Sequence, residues 1–480
     1  MKRHLARFSR RIIRAQLSCS SPTGLLRLGE KKLLRCFRRA AKQSPAFKIL
    51  LSEAAVDPAR IVTVLDFQTH CPLLEKATTF GRFKTSELIA GDVRREDIAS
   101  ILTSSGHGGN GYALGLSSRA QMASTPSLID LGLDMAFEVD MYRSLLINCL
   151  PMGVTFQSNA VCVANVSVRE DMACAIVEQS GTLFDQIILC GDPLFLKRLC
   201  DYSKARGVDW SRYRMNAIIG EETFSESFRE YLAATLKINL DDADSGLIGS
   251  SMGVGELGLN LFNETRETIA VRRACNASPQ FFADLCGTGY AEQAVLPTFL
   301  AFNPLRTFVE VIVPDADGVG DLVVTVLDLK NPVPLMRYRT GDRVSLIDHT
   351  RLAQCIAQHV LPISPSSLPM IALHGRAKDR LPGGWHVDMF KQALFREAAT
   401  TDQASGAFRI GINEEGLLWE VQLGRDSVAD CQEIAASLLA SLRLGRPDTD
   451  MALRVRCFPY PDFPYGQSID YERKFTYWVG

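Results

Sequence analysis

Arg337-Tyr338-Arg339-Thr340-Gly341-Asp342 is the stretch from which the rest of the chain can be read. Before it runs an apolar, strand-like segment, Gly320-Asp321-Leu322-Val323-Val324-Thr325-Val326-Leu327, and after it another, Val344-Ser345-Leu346-Ile347. The pattern predicts an arginine-rich turn between two strands, ending in a carboxylate. A carboxylate fixed there can accept both hydroxyls of a ribose. Guanidiniums beside it match the oxygens of phosphates or carboxylates through their fork of donors. The same six residues also suit a plain turn closed by Gly-Asp with a surface ion pair.

Three further stretches carry chemistry. Ile101-Leu102-Thr103-Ser104-Ser105-Gly106-His107-Gly108-Gly109-Asn110-Gly111 passes from an apolar lead into hydroxyls and glycines. Residues this small let the backbone come close to phosphate oxygens and aim N–H groups at them. No Lys-Ser/Thr follows, so it is not a Walker-type loop, and a flexible glycine turn would look similar. Ala217-Ile218-Ile219-Gly220-Glu221-Glu222 is a short apolar strand ending in acids, followed by a helix over Ser225–Leu236 with Ser225 as N-cap. Glu222 also suits the first turn of that helix, where a negative charge complements the dipole. Ser250-Ser251-Met252-Gly253-Val254-Gly255-Glu256-Leu257-Gly258 is a glycine-rich turn around one acid. Glu256 is a hard oxygen donor suited to Mg²⁺, or else a solvated side chain.

Composition narrows the class. The 480 residues are 46% hydrophobic and 22% charged, ordinary for a globular protein, and the length suggests more than one domain. A formal net charge of −1 gives no global field to recruit nucleic acid or an anionic membrane. The 13 cysteines form no C-x-x-C pair and the seven histidines are dispersed, which argues for reduced thiols in a cytoplasmic setting and against structural zinc. No run of 18 apolar residues appears. The basic start, with Lys2, Arg3, Arg7, Arg10, Arg11 and Arg14 ahead of the first acid, Glu30, suits either a surface helix or a transit peptide.

Periodicity predicts helices over Leu25–Lys42, stopped by Ser44-Pro45, and over Ser118–Leu146. Short apolar runs at Ala160–Val168 and Phe184–Cys190 alternate with helix-like stretches and predict βα units. A Pro/Ser-rich stretch, Pro362–Pro369, reads as a linker. Beyond it, a hairpin at Ala407–Asn413 and Leu417–Leu423, a helix over Val428–Leu444 and a strand over Met451–Phe458 form a small α+β module.

The Pro-preceded RYRTGD sequence resembles the phenylacetate-CoA ligase branch of the adenylate-forming enzymes. The other stretches fall in that family's order over nearly the whole chain. The resemblance implies an α/β fold: a large N-terminal domain of mixed sheets and helices, residues 1–374, and a small mobile α+β domain, residues 375–480. The hinge would lie near Lys378, in Gly375-Arg376-Ala377-Lys378-Asp379. Ser104, Ser105, Gly106 and Gly109 would cradle ATP phosphates. His107 and Gly108 stand where the family carries threonines, so His107 would supply a different donor. Gly220 and Glu222 match a Gly-x-Glu near the adenine and acyl pockets. Met252 and Gly253 would wall the adenine slot, with Met252 in place of an aromatic residue and Gly255 in place of a hydroxyl. Glu256 would bind Mg²⁺, Asp342 would hold the ribose with Arg339 close by, and Arg376 would lie near the phosphates. Lys474 matches a family lysine that reaches the α-phosphate, with Arg473 where a glycine is usual. A short Pro-Leu step at Cys71–Lys76 is a weaker match.

The resemblance implies activation of a carboxylic acid, of an aromatic kind, as an acyl-adenylate, and its transfer to a thiol of CoA or of a carrier protein. Two alternatives stand beside it. One is a free-standing adenylating enzyme that passes the acyl group to a carrier protein or an amine. The other is a non-catalytic nucleotide-binding relative, consistent with the loss of loop hydroxyls. Homodimers are common among such relatives; nucleic-acid or membrane partners are not implied.

Overall fold

A computed structural model describes every residue except 1, 104–112, 152, 243, 288–294, 365–366, 415, 446–448, 450, 466–470, 472–473 and 480. The chain divides into two compact units. The first holds Met1–Met135, Ser251–Val271 and Pro297–Gly375, and the second holds Ala136–Ser250, Arg272–Leu296 and Arg376–Gly480. The α/β class is as expected.

In the first unit a sheet runs in the order Thr307–Ile312, Gly320–Val326, Tyr338–Ile347, Met370–Arg376, Thr298–Phe302, Gly258–Asn263. The last of these pairs antiparallel with residues 251–254. A separate hairpin pairs Ile98–Thr103 with Leu114–Ser118. Helices cover the sheet because their apolar stripes supply Leu33, Phe37, Phe47 and Phe67, which pack against Leu300, Leu322 and Val324. Phe37 meets Phe47 and Phe67 edge-to-face, at 6.2 and 5.7 Å between centroids.

The second unit contains a parallel sheet in the order Cys162–Asn165, Ser144–Asn148, Gln186–Gly191, Met215–Ile219, then residues 248–250. Ser144–Asn148 and Gln186–Gly191 are buried at every position, as strands covered on both faces are. Helix Pro193–Arg206 starts cleanly because Asp192 caps the N–H groups of Leu194 and Phe195 and Pro193 occupies the first turn. It ends at Gly207 with φ +77°. The same unit carries the expected hairpin, Ala404–Asn413 with Gly416–Leu423, flanked by Leu453–Phe458 and Trp478–Val479. Its core is aromatic: Phe390 and Phe408 lie 5.2 and 5.8 Å from Trp419.

Two expectations are corrected. The helix predicted over Ser118–Leu146 stops at Phe137. Glu138 turns the backbone left-handed at φ +51°, and Leu145 and Leu146 enter the fully buried strand Ser144–Asn148. An apolar run of that length is ambiguous between helix and strand until its pairing is known. The second correction concerns Arg337–Asp342. These residues do not form a turn between strands, because Tyr338–Ile347 is one continuous strand.

Candidate active site

The Tyr338 strand departs from regular pairing where the chemistry was expected. Asp321 pairs with Arg343 and Val323 with Arg339, so Thr340, Gly341 and Asp342 stand opposite Leu322 alone. The extra residues bulge, with Gly341 at φ +86°, a conformation glycine adopts without strain. The Asp342 N–H donates to Thr340 Oγ1 at 3.2 Å, and Asp342 itself is 6% exposed. A carboxylate is thus set on a bulge rather than a turn.

The strand's start is pinned by a segment far away in sequence. The Leu74 N–H donates to the Arg337 carbonyl (2.9 Å) and the Arg339 N–H to the Leu74 carbonyl (2.8 Å). The Cys71–Lys76 step therefore lies alongside the RYR residues. Arg337 is buried and pairs with Glu310 at 3.0 Å while donating to the Cys71 carbonyl at 2.5 Å. Its backbone is left-handed, φ +47°. Burial pushes the Glu310 carboxyl upward, against the pull of Arg337. Arg339 pairs with Glu75 at 2.7 Å and lies 3.6 Å from Asp321.

Tyr338 brings in Glu256: its hydroxyl donates to Glu256 Oε1 at 2.5 Å. Burial, with Glu256 beside it, holds the phenol far above its ordinary pKa, so it stays a donor. Glu256 sits at the tip of the hairpin between Val254 and Gly258. Gly253 is required there because a Cβ would stand 2.8 Å from Leu259 Cα. Met252 packs, half-buried, on the first unit's core. Strand Leu114–Ser118 crosses this tip closely: a Cβ at Gly115 would run into the Gly255 carbonyl and lie 3.3 Å from Glu256 Cα. Thr103 pairs with Leu114, so residues 104–113 connect the two strands of that hairpin. Ser104, Ser105, Gly106, His107 and Gly109 themselves fall outside the described residues.

The second unit holds another charged cluster, at the turn after strand Met215–Ile219. The Gly220 N–H donates to the Gly191 carbonyl at 3.1 Å, and Glu221 is left-handed at φ +67°. Lys391 Nζ lies 3.1 Å from Glu222 and donates to the Thr223 carbonyl at 3.2 Å. It also sits 4.6 Å from the Tyr477 ring centroid. Lys474 Nζ lies 3.0 Å from Glu221 Oε2. Burial opposes the Lys391 charge, but Glu222 and Asp388 outweigh it and hold its pKa above that of a free lysine. Burial, aided by Glu222 and Glu221, pushes the Asp192 carboxyl up to about 7 against the helix N–H groups it caps. A narrow cavity lies against this cluster, walled by Leu194, Phe224, Phe228, Phe395, Phe408 and Tyr477, with Lys391 and Thr223 at its rim. Arg376 closes strand Met370–Arg376, its N–H donating to Asp379 at 3.1 Å, and Lys378 is exposed in the short turn that follows.

Asp342, Arg339, Glu256, Met252 and Gly253 thus belong to one unit, and Gly220, Glu222, Arg376, Lys378 and Lys474 to the other. Sequence reasoning missed Glu75, Tyr338, Asp192, Lys391 and Tyr477. Lys391 lies in helix Val387–Leu394 and reads as an ordinary surface lysine. Asp192 could have been flagged, since an acid before Pro193 at a strand end is a recognisable N-cap.

No protein-family model matches the sequence, and no curated protein does. Among solved structures, the chain is similar to 2-hydroxyisobutyryl-CoA ligase. In the postadenylation state with 2-HIB-AMP the TM-score is 0.65 at 13% identity, covering 95% of this chain and 89% of that one. An open conformation of the same ligase with 2-HIB-AMP and CoA gives a TM-score of 0.54 at 12% identity, covering 96% and 91%. The chain therefore shares its overall fold with that ligase structure, on a sequence far diverged from it.

Proposed function

We propose that this protein activates a carboxylic acid at the expense of ATP and transfers the acyl group to a thiol. A carboxylate oxygen attacks the α-phosphorus, the bond to the β-phosphate breaks, pyrophosphate leaves and an acyl-adenylate remains. A thiol then attacks the acyl carbon and expels AMP. The protein's part is positioning and stabilisation of charge on the α-phosphate.

The observation that carries this reading is the meeting of three distant segments at Glu256. Tyr338, four residues before Asp342, donates to it, and the strand returning from the Ser104–Gly109 segment crosses its turn. That arrangement supports a ribose held by Asp342 beside phosphates cradled by Ser104, Ser105, Gly106 and Gly109, with His107 as an added donor. Glu256 gives one oxygen to Tyr338, while its second accepts from no described residue. That carboxylate fits a hard cation, and Mg²⁺ there would neutralise phosphate charge. Met252, Gly253, Gly220 and Glu222 would border the adenine, and Arg339 and Arg376 the phosphates. Lys474 would leave Glu221 for the α-phosphate as residues 375–480 turn about Lys378. An aromatic acid is the first substrate class to try, as the resemblance implies, and CoA is the first thiol.

The test is exchange of labelled pyrophosphate into ATP across a panel of carboxylic acids, with Mg²⁺. At least one aromatic acid should support exchange, and Asp342→Ala should lower it about 100-fold while leaving the fold intact, as expected for two charged hydrogen bonds lost. Absence of exchange with every acid overturns the proposal. Adding CoA, a carrier protein or amines to the active pair identifies the acceptor.

A further inference from the structure

The first helix, Lys2–Cys19, turns two arginines inward alongside Leu17. Arg10 pairs with Asp130 at 3.4 Å and Arg14 with Asp134 at 3.0 Å, and in the first of these pairs both side chains are buried. Both acids lie on helix Arg119–Phe137 of the same unit. Helical spacing puts Phe8, Ile12, Ala15 and Cys19 on the opposite face. That face is open: Phe8 is 64% exposed, Ile12 43% and the neighbouring Ile13 40%. An amphipathic helix ordinarily buries this stripe.

The next helix, Pro22–Gln43, begins after Ser20 and Ser21 and shares a core contact with the first through Leu17 and Leu25. Arg27, Lys31, Arg35, Arg38 and Lys42 fall on one line along it, spanning ~22 Å at 1.5 Å per residue. All five are exposed, with exposed Leu26 and Leu28 beside them. None of the five has an ion-pair partner among the described residues, nor has Arg11. From Met1 to Leu50 the one acid in the sequence is Glu30. A net charge of −1 therefore conceals a strongly basic flank carrying open apolar side chains.

We infer that this flank is a docking surface for an anionic phospholipid membrane. Phe8, Ile12 and Ile13 would enter the headgroup boundary, and the Arg27–Lys42 stripe would meet the lipid phosphates. Apolar insertion and a polybasic stripe are each weak alone and effective together. Exposed phenylalanine and isoleucine favour lipid over nucleic acid, whose backbone needs only the cations. The contact lies on the membrane rather than across it, since no helix among the described residues is long and apolar enough to span. This inference is independent of the proposed chemistry.

Flotation of the full chain with phosphatidylcholine vesicles, with and without phosphatidylserine, tests it. The protein should float with the phosphatidylserine vesicles only. Phe8→Asp/Ile12→Asp should lower binding at least tenfold. Arg27→Glu/Lys31→Glu/Arg35→Glu should lower it about 100-fold, with unchanged circular dichroism in both variants. High salt should release the wild type. Absence from the phosphatidylserine fraction, equal flotation with neutral vesicles, or double-stranded DNA binding that survives Phe8→Asp/Ile12→Asp while lipid binding is undetected would each overturn it.

Discussion

The Tyr338 strand and the Gly220–Thr223 turn both gather charge, but by different means. In the strand, backbone pairing does the work: the ladder with Gly320–Val326 sets the bulge, and the Leu74 bridge fixes the RYR residues. In the turn, long side chains do it: Lys391 and Lys474 arrive from positions 169 and 253 residues away from their acceptors. A site made by backbone survives changes of side chain. A site made by side chains is adjustable and depends on each of them.

That contrast can be broken most severely at its stiff end. Replacing Arg337 by Leu leaves Glu310 buried without its guanidinium, and about 3–5 kcal/mol of unfolding free energy should be lost. Adding Glu310→Leu should restore much of it; a loss persisting in the double variant would mean that the Cys71 carbonyl contact matters more.

In the turn, Asp192 offers a pH signature. Its pKa is raised on folding to about 7, so the folded state holds the proton more tightly. Its contribution is complete below the unfolded value near 4 and is lost as pH climbs through 7, with an amplitude of about 4 kcal/mol. Asp192→Asn keeps the cap and should flatten this slope, making the variant the more stable protein at pH 8 in urea titrations. A wild-type stability that rises between pH 4 and 7 relative to the variant would contradict the burial argument.

Lys391→Met removes the cation between Glu222 and the Thr223 carbonyl, and a loss of about 1–3 kcal/mol is expected. Hydrogen exchange should quicken at residues 220–223 and stay unchanged at 338–342, which separates the two regions directly. The smallest effect is expected from Ser225→Ala, which removes the N-cap of helix Glu226–Leu236 and should cost about 1 kcal/mol by thermal melting.

Much of this was legible in the sequence where local rules act alone. The strand at Met215–Ile219, the Ser225 cap and the Ala404–Leu423 hairpin follow from β-branched runs, capping residues and turn residues. The Arg337–Asp342 segment was misread as a turn because glycine beside aspartate signals a reversal as well as a bulge. Only the pairing with Gly320–Val326 tells which. Lys391 was invisible for another reason. A lysine in the middle of a short helix carries no mark of the carboxylate it meets, and Glu222 suits both a helix-dipole role and the Gly-x-Glu of the resemblance. The inward docking of Arg10 and Arg14 on the first helix was equally hidden, since its pattern predicts the apolar stripe inside.

That docking has a practical consequence. Anyone shortening the protein ahead of Pro22 to improve crystals would remove the guanidiniums that face Asp130 and Asp134, two carboxylates almost wholly shut away from water. The trimmed protein would be expected to melt earlier, because both carboxylates lose a cationic neighbour, irrespective of what the missing helix binds.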